Sequence, residues 1–260
     1  MNKIATLALA LALVGCADDT TTGSLDITTY GEEFIEDSIP SDEFVDGWTV
    51  SFDRFLISVG DVRTEGARVE VPSYKLFDLA QSSGGLGHLL LSADVDGDSI
   101  QRVAYATAPS EQLENANAAP TDLGFMTESG YAVYVEGMAM RGNETKEFSW
   151  GFLSTTRYQA CEPSAGDVSG RIELTIHGDH LFYDMLTDAE SNVAFDLIAS
   201  ADRDGDDVIT EAELRATSLA TEARYQVGSL PVDDLWTFMD YQVSTLGHIN
   251  GEGHCETRRL

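Results

Sequence analysis

Residues 48–59, W-T-V-S-F-D-R-F-L-I-S-V, carry the clearest fold signal in this chain. Apolar and polar residues alternate up to Phe52, the phase shifts at Asp53 and Arg54, and apolar residues at every second position resume from Phe55. A period of two is typical of a strand with one buried face, and a shift of phase is typical of a β-bulge. We therefore predict one long strand that contains a bulge.

Further strand-like stretches surround this one, and most are bounded by Gly, Asp or Ser. They are Arg68 to Val71, Leu89 to Ser92, Ser99 to Thr107, Gly130 to Met138, Glu147 to Leu153 and Arg171 to Ile176. Several strands at short spacing favour an antiparallel β-sandwich or a barrel-like domain, which we place at residues 47–185. Helical spacing of apolar residues appears later, and it predicts a last helix from about Val232 to Leu246 with Pro231 at its start.

Residues 202–213, D-R-D-G-D-D-V-I-T-E-A-E, have an oxygen donor at each position that a twelve-residue calcium loop uses. Positions 1, 3, 5, 7, 9 and 12 are Asp202, Asp204, Asp206, Val208 through its carbonyl, Thr210 and Glu213. The stretch resembles an EF-hand, which implies bound calcium between two helices. Position 6 favours a glycine with positive φ, so Asp207 predicts a strained turn and weaker calcium binding. The alternative is an acidic surface turn.

These patterns together predict an α+β fold. The β-rich domain is followed by an EF-hand-like helix-loop-helix at 186–222, and then by a C-terminal helix and tail, 223–260, packed on the β-domain. Residues 16–46 are rich in Thr, Gly, Asp and Glu with few aliphatic side chains, which favours an acidic tether.

The amino terminus has the pattern of an export signal. Lys3 precedes an apolar run from Ile4 to Val14 that is too short to span a bilayer as a mature helix, so residues 1–15 favour a secretory signal peptide. The following L-V-G-C at 13–16 resembles the bacterial lipobox. That resemblance implies a lipid anchor at Cys16, and Ala17 after it implies sorting to the outer membrane. The alternative is an ordinary signal peptide followed by an unrelated cysteine.

Charge and cysteine content add two constraints. A net charge of −30 argues against nucleic-acid binding, because a protein without a basic face gains no counterion-release energy on a duplex. Once Cys16 is lipidated, Cys161 and Cys255 remain, and an even pair in an oxidising compartment predicts one disulfide.

Four of the five histidines lie in two short clusters. His177 and His180 follow the predicted strand that ends at Ile176, whereas His248 and His254 follow the predicted last helix. Imidazoles that converge in an exported protein suit zinc or copper, with Asp179 or Glu252 as a further ligand or hydrogen-bond acceptor. Their spacing matches no standard zinc signature, and the alternative is that they are polar loop histidines making ordinary hydrogen bonds.

Two stretches of the β-domain carry a second resemblance. They are G-Y-A-V-Y-V-E-G at 130–137 and the stretch from Phe148 to Cys161, which ends in S-T-T-R-Y-Q-A-C. In these the chain is similar to the exported copper-binding proteins encoded beside di-haem peroxidase-like partners in methanobactin operons. The resemblance implies a histidine metal site and assigns no residue by itself. That family tends to have more cysteines than this chain.

Catalytic motifs are missing from the sequence: it has no G-x-S-x-G, no H-E-x-x-H and no glycine-rich nucleotide loop. A binding protein is therefore favoured over an enzyme. The leading hypothesis is a calcium-binding, lipid-anchored exported protein that acts as a binding or interaction module. The second is a protein that binds or delivers copper or zinc and holds calcium as a structural ion. The third is a hydrolase whose site the sequence does not reveal.

Overall fold

A computed structural model describes residues 22–66, 68–96, 100–163, 170–187 and 191–260. The protein is a β-rich α+β structure with few helices. The strands are β1 Thr22–Tyr30, β2 Thr49–Glu65, β3 Glu70–Asp78, β4 His88–Asp96, β5 Arg102–Thr107, β6 Leu113–Asn115, β7 Val133–Arg141, β8 Glu144–Phe152, β9 Thr156–Cys161, β10 Arg171–Ile176, β11 Val208–Ile209, β12 Gly247–Ile249 and β13 Glu256–Arg259. The helices are α1 Glu32–Glu36, α2 Pro120–Ser129, α3 Asp196–Ala199, α4 Glu211–Arg215 and α5 Leu235–Gln242.

The long strand β2 has the bulge that its sequence predicts. It pairs antiparallel with β7, and the register shifts between Phe52, opposite Gly137, and Arg54, opposite Glu136. Asp53 is therefore the extra residue. The shift returns Phe55 to the buried face, so the phase change in the sequence is confirmed as a bulge.

Among the described residues the strands form two sheets. The smaller has the order β12-β10-β1-β4, and the larger, a curled half-barrel, has the main order β11-β8-β7-β2-β5-β9-β13 with β3 and β6 attached beside β2. Both sheets contribute side chains to one core, for example Ile27 and Leu174 from the smaller and Phe55 and Tyr158 from the larger. Burying both inner faces in one core removes a large apolar area from water.

The expectation of purely antiparallel strands is wrong at three pairs. β1 pairs parallel with β10, β3 with β6, and β11 with β8. The first of these also corrects the amino-terminal prediction, because residues 22–30 form a strand inside the smaller sheet and not part of a tether. Leu25 and Ile27 of that strand are buried. The predicted signal peptide, the lipobox-like L-V-G-C and the first part of the predicted tether lie outside the described residues.

The helices differ from expectation mainly in length. The predicted EF-hand helices are single turns, α3 and α4, and the last helix begins later than Pro231. It starts after Asp234, whose carboxylate accepts the backbone N–H of Thr237, so an aspartate N-cap sets its first turn. It ends at Gln242 and continues as a 3-10 turn, Val243–Thr245. No helix within the described ranges combines the length and the apolar character that crossing a membrane requires.

Candidate metal centres

The smaller sheet brings the two histidine clusters to one place. β10 pairs antiparallel with β12, so that Thr175 lies opposite His248 and Ile176 opposite Gly247. His177 follows β10 directly, and its backbone N–H donates to the carbonyl of Leu246. A short 3-10 helix, Gly178–Phe182, then turns His180 back towards the same end of the sheet. The register of one strand pair therefore joins segments that are far apart in the chain.

The four predicted histidines lie side by side. The ring centroid of His177 is 4.4 Å from that of His248 and 5.2 Å from that of His180, and the rings of His180 and His248 are 5.1 Å apart. These three side chains are buried. His254 is exposed, with its ring 5.4 Å from that of His248, because a tight hairpin pairs Ile249 with Gly253. The core of the cluster is thus three imidazoles, with the fourth at its rim.

Some buried polar atoms of this cluster have lone pairs that no hydrogen-bond donor uses. His180 Nδ1 donates to the carbonyl oxygen of Thr245 at 2.8 Å, which leaves the lone pair on Nε2. Within the described part of the chain, Nδ1 of His248 and Oδ1 of Asp179 are buried and have no hydrogen-bond partner. Buried polar atoms normally have one, so these two atoms point to a ligand or an ordered water. An imidazole–carboxylate set of this kind fits a transition-metal ion.

The electrostatics keep His180 and His248 neutral. Burial, together with the neighbouring His177, lowers the pKa of His180 to about 4 and that of His248 to about 3. Burial also raises the pKa of the Asp179 carboxyl. Neutral imidazole is the form that binds a metal ion, so His180 and His248 need release no proton at neutral pH.

Acidic side chains surround the cluster. The possible ligand atoms of His177, Asp179 and His180 lie within 4.8 Å of one another, and those of His177, His248 and Glu252 form a second group of the same size. Asp179 and Glu252 were predicted beside the histidines from the sequence, but Glu32 was not, although its Oε2 lies 3.3 Å from Nδ1 of His177. No local pattern could have found it, because Glu32 reaches the site through the pairing of β1 with β10.

One side of the cluster borders a cavity of about 480 Å³. His180, His248 and His254 line it together with Tyr183, Met185 and Tyr241, and a mixture of polar and apolar residues completes the wall. A metal ion held here would have a route to solvent and room for a small additional ligand.

The predicted calcium loop has the expected turn. Carboxylate oxygens of Asp202, Asp204 and Asp206 lie within 4.8 Å of one another. Asp207 at position 6 has φ 66°, the left-handed conformation that favours glycine. The loop is braced by the large sheet rather than by a second loop, because Val208 and Ile209 form β11 and pair parallel with Glu147 and Phe148 of β8.

Two contacts in this loop differ from those expected of a calcium-bound state. Lys146 Nζ lies 2.7 Å from Oδ2 of Asp202 and 2.8 Å from Oδ1 of Asp207. Glu213 and Thr210 form a capping box, in which the Glu213 carboxylate accepts the N–H of Thr210 while Thr210 Oγ1 accepts the N–H of Glu213. Calcium would therefore displace an ammonium from Asp202 and turn the Glu213 carboxylate towards the ion.

The predicted cysteine pair is also brought together. Cys161 ends β9, Cys255 precedes β13, and their sulfur atoms are at disulfide distance. Strand β13 pairs antiparallel with β9, which holds the carboxyl terminus against the large sheet. The predicted lipid-anchor residue, Cys16, lies outside the described residues.

Comparisons with models of protein families, with curated proteins and with solved structures found no match to this chain. The fold and the two centres are therefore interpreted from their own chemistry.

Proposed function

We propose that this protein binds a transition-metal ion, zinc or copper, through His177, His180 and His248. The observation that carries the proposal is the convergence of three buried imidazoles, one of which has a buried Nδ1 without a hydrogen-bond partner. Asp179 and Glu252 are candidates for a fourth ligand or for acceptors that orient the rings. The adjoining cavity supports binding or delivery of the ion rather than a sealed structural site.

The nitrogen donors allow either zinc or copper, and the resemblance to copper-binding proteins favours copper. Imidazole nitrogens suit both ions, and affinity for a given nitrogen site rises towards copper(II) in the divalent series. The resemblance of residues 130–137 and 148–161 to exported copper-binding proteins favours copper as the physiological ion. The same three ligands would hold zinc in a titration in vitro.

The test is a metal inventory followed by titration. Protein purified without a chelator or a polyhistidine tag is analysed for zinc and copper by plasma mass spectrometry, and the apo protein is then titrated with zinc against a chromophoric chelator. We expect one tightly bound ion per chain. His248→Asn should abolish that stoichiometry.

The matched control is the fifth histidine. His88 lies in β4, and its Nε2 contacts the carbonyl oxygen of Gln81. His88→Asn should therefore keep full zinc binding. Wild-type protein that binds neither ion above the level of His248→Asn would reject the transition-metal function.

We also propose that residues 202–213 bind calcium as a structural ion in an EF-hand-like loop. Support comes from the three close carboxylates, the left-handed turn at Asp207 and the bracing by β8. Because calcium binds the native state, it should raise the free energy of unfolding by about 2.7 kcal/mol at a hundredfold excess over the dissociation constant. Position 12 supplies two oxygens, so Glu213 should matter most.

Calcium binding is tested by melting curves in excess calcium and in excess chelator. Glu213→Gln should remove most of the calcium-dependent rise, because an amide is a weaker, uncharged ligand. Its single oxygen can keep the capping hydrogen bond from the N–H of Thr210 but not also the one from the N–H of Arg203. Glu211→Gln in the same helix is the control, because Glu211 pairs with Arg215 at a position that does not bind the ion. Equal melting temperatures in calcium and in chelator would leave the loop as an acidic turn.

Export and anchoring complete the proposal. The apolar leader and the lipobox-like L-V-G-C favour a bacterial protein anchored by lipid at Cys16 and facing the periplasm or the cell surface. Cys16→Ser should release the protein from the membrane fraction of the producing cell. A variant that still fractionates with membranes would reject this anchor.

A further inference from the structure

The smaller sheet places one more acidic residue against the histidine cluster. β1 and β10 run parallel, and Tyr30 lies opposite Thr175 at their carboxyl ends. Two residues beyond this pair the chains reach Glu32 and His177. The register that aligns the strands therefore aligns these two side chains, and Oε2 of Glu32 lies 3.3 Å from Nδ1 of His177.

Close packing holds this contact in place. Helix α1 begins at Glu32, and its buried residue Ile35 lies on the turn after β10. At that turn Gly178 has no side chain, and a Cβ there would come within 2.7 Å of the Ile35 side chain. The helix can approach His177 only because residue 178 is a glycine.

The two nitrogens of His177 have different acceptors. Nδ1 lies 3.3 Å from Oε2 of Glu32 at the start of α1, whereas Nε2 lies 3.4 Å from the carbonyl oxygen of Gly251, to which it donates only in the tautomer that carries its proton on Nε2. Gly251 belongs to the hairpin between His248 and His254, so Nε2 points to the side on which the other imidazoles lie. These two acceptors compete for the single proton of the neutral ring. A carboxylate is a stronger acceptor than a carbonyl oxygen and lies slightly closer, so it favours the proton on Nδ1, and the weak Nε2 contact with Gly251 is given up.

Glu32 lies beside the candidate ligand groups without belonging to them. Among the described residues, the two histidine-containing groups whose possible ligand atoms lie within 4.8 Å of one another both include His177, and neither includes Glu32. Its backbone has φ 54°, a left-handed conformation that few residues other than glycine adopt. Strained residues of this kind cluster at functional sites.

We propose that Glu32 is a positioning residue of the histidine cluster. Its carboxylate holds the proton of His177 on Nδ1, so that the ring presents its Nε2 lone pair to the metal ion. This inference rests on the proposed transition-metal function. Carboxylates that receive the second N–H of a metal-bound histidine fix its tautomer and its ring orientation.

The experiment compares apo and zinc-loaded protein with and without the carboxylate. Long-range ¹⁵N–¹H spectra of apo wild type should show His177 with its proton on Nδ1, and Glu32→Gly should move the proton to Nε2. In a competitive titration with zinc, Glu32→Gly should bind 10- to 100-fold more weakly. Its melting temperature in chelator should be at least that of wild type, because glycine adopts φ 54° without strain.

Two further variants separate positioning from stability. Glu32→Asp keeps a carboxylate and should recover part of the zinc affinity, whereas Glu33→Gln, an exposed neighbour, should change neither the tautomer nor the affinity. If wild type binds zinc and Glu32→Gly binds it equally well, the role of Glu32 is refuted and the metal site stands. If wild type binds no zinc but its His177 tautomer depends on Glu32, the metal function is refuted and the contact stands.

Discussion

Alanine at position 178 should destabilise the protein by overpacking the contact between α1 and the histidine turn. The new Cβ would lie 2.7 Å from Cγ1 of Ile35 and 3.2 Å from Cε2 of Phe52. Both side chains are enclosed, at 0% and 8% exposure, so neither can swing into solvent. Overpacking of this kind costs about 1–3 kcal/mol, and the lower entropy of the unfolded alanine chain offsets about 0.4–1 kcal/mol of that.

The net loss in the free energy of unfolding should be about 1–2 kcal/mol, or roughly 2–8 °C in melting temperature. Urea unfolding followed by tryptophan fluorescence measures it, with an unchanged slope against denaturant expected. Ile35→Ala alone should cost about 2–5 kcal/mol. Combined with Gly178→Ala it should cost less than the sum, by about 0.5–3 kcal/mol, because the added methyl fills part of the space that is vacated.

A second glycine gives the control. Gly124 lies within α2, and a Cβ there would meet nothing within 4 Å. Gly124→Ala should therefore stabilise the protein by about 0.5–1 kcal/mol. If Gly178→Ala is as stable as wild type and its effect simply adds to that of Ile35→Ala, then α1 does not pack on the histidine turn as described.

Three further outcomes follow from the structure. Replacing Cys161 and Cys255 by serine opens a loop of 94 residues and so raises the conformational entropy of the unfolded chain. The free energy of unfolding, measured by urea titration, should fall by about 4–5 kcal/mol. A loss below about 2 kcal/mol would contradict this entropic origin. Lys146→Met should tighten calcium binding in a calorimetric titration, because the ammonium competes with calcium at Asp202. The same variant should melt at a lower temperature in chelator, because the ammonium holds the calcium-free loop closed. Weaker calcium binding by Lys146→Met would refute the competition. In metal-free protein the free energy of unfolding should fall as pH drops from about 6.5 towards 3, because the pKa values of His180 and His248 are lowered to about 4 and about 3 in the folded state. Across this window the unfolded chain binds more protons than the native one, so protonation favours unfolding. If urea unfolding gives the same free energy at every pH in this window, the histidine cluster is not buried as described.

Strand β2, its bulge and strand β10 were predictable because their signal is local. An alternation of apolar and polar residues depends only on the two faces of a strand, and a break in phase depends only on one extra residue. Strand β1 and helices α1 and α2 escaped prediction. In β1 the buried Leu25 and Ile27 stand among Thr, Ser and Asp, so the local pattern is weak. The strand is stabilised by its pairing with β4 and β10.

In the EF-hand-like segment, too, local features were predictable from the sequence and features that depend on tertiary packing were not. The spacing of Asp202, Asp204 and Asp206 and the strain at Asp207 belong to a single short loop, and both could be predicted from the sequence. The flanking helices could not, since their lengths depend on what they pack against, and here each is a single turn. The placement of Lys146 against the loop depends on the pairing of β11 with β8.

The sequence by itself determined which side chains are candidate metal ligands: the carboxylates of residues 202–213 and the histidines in two short clusters. Tertiary structure alone decided that His177, His180 and His248 meet and that Glu32 joins them. These residues come from separate parts of the chain, and they meet because β10 pairs with β12 on one side and with β1 on the other. Such pairings between distant segments form only when the whole core closes, so no local pattern encodes them.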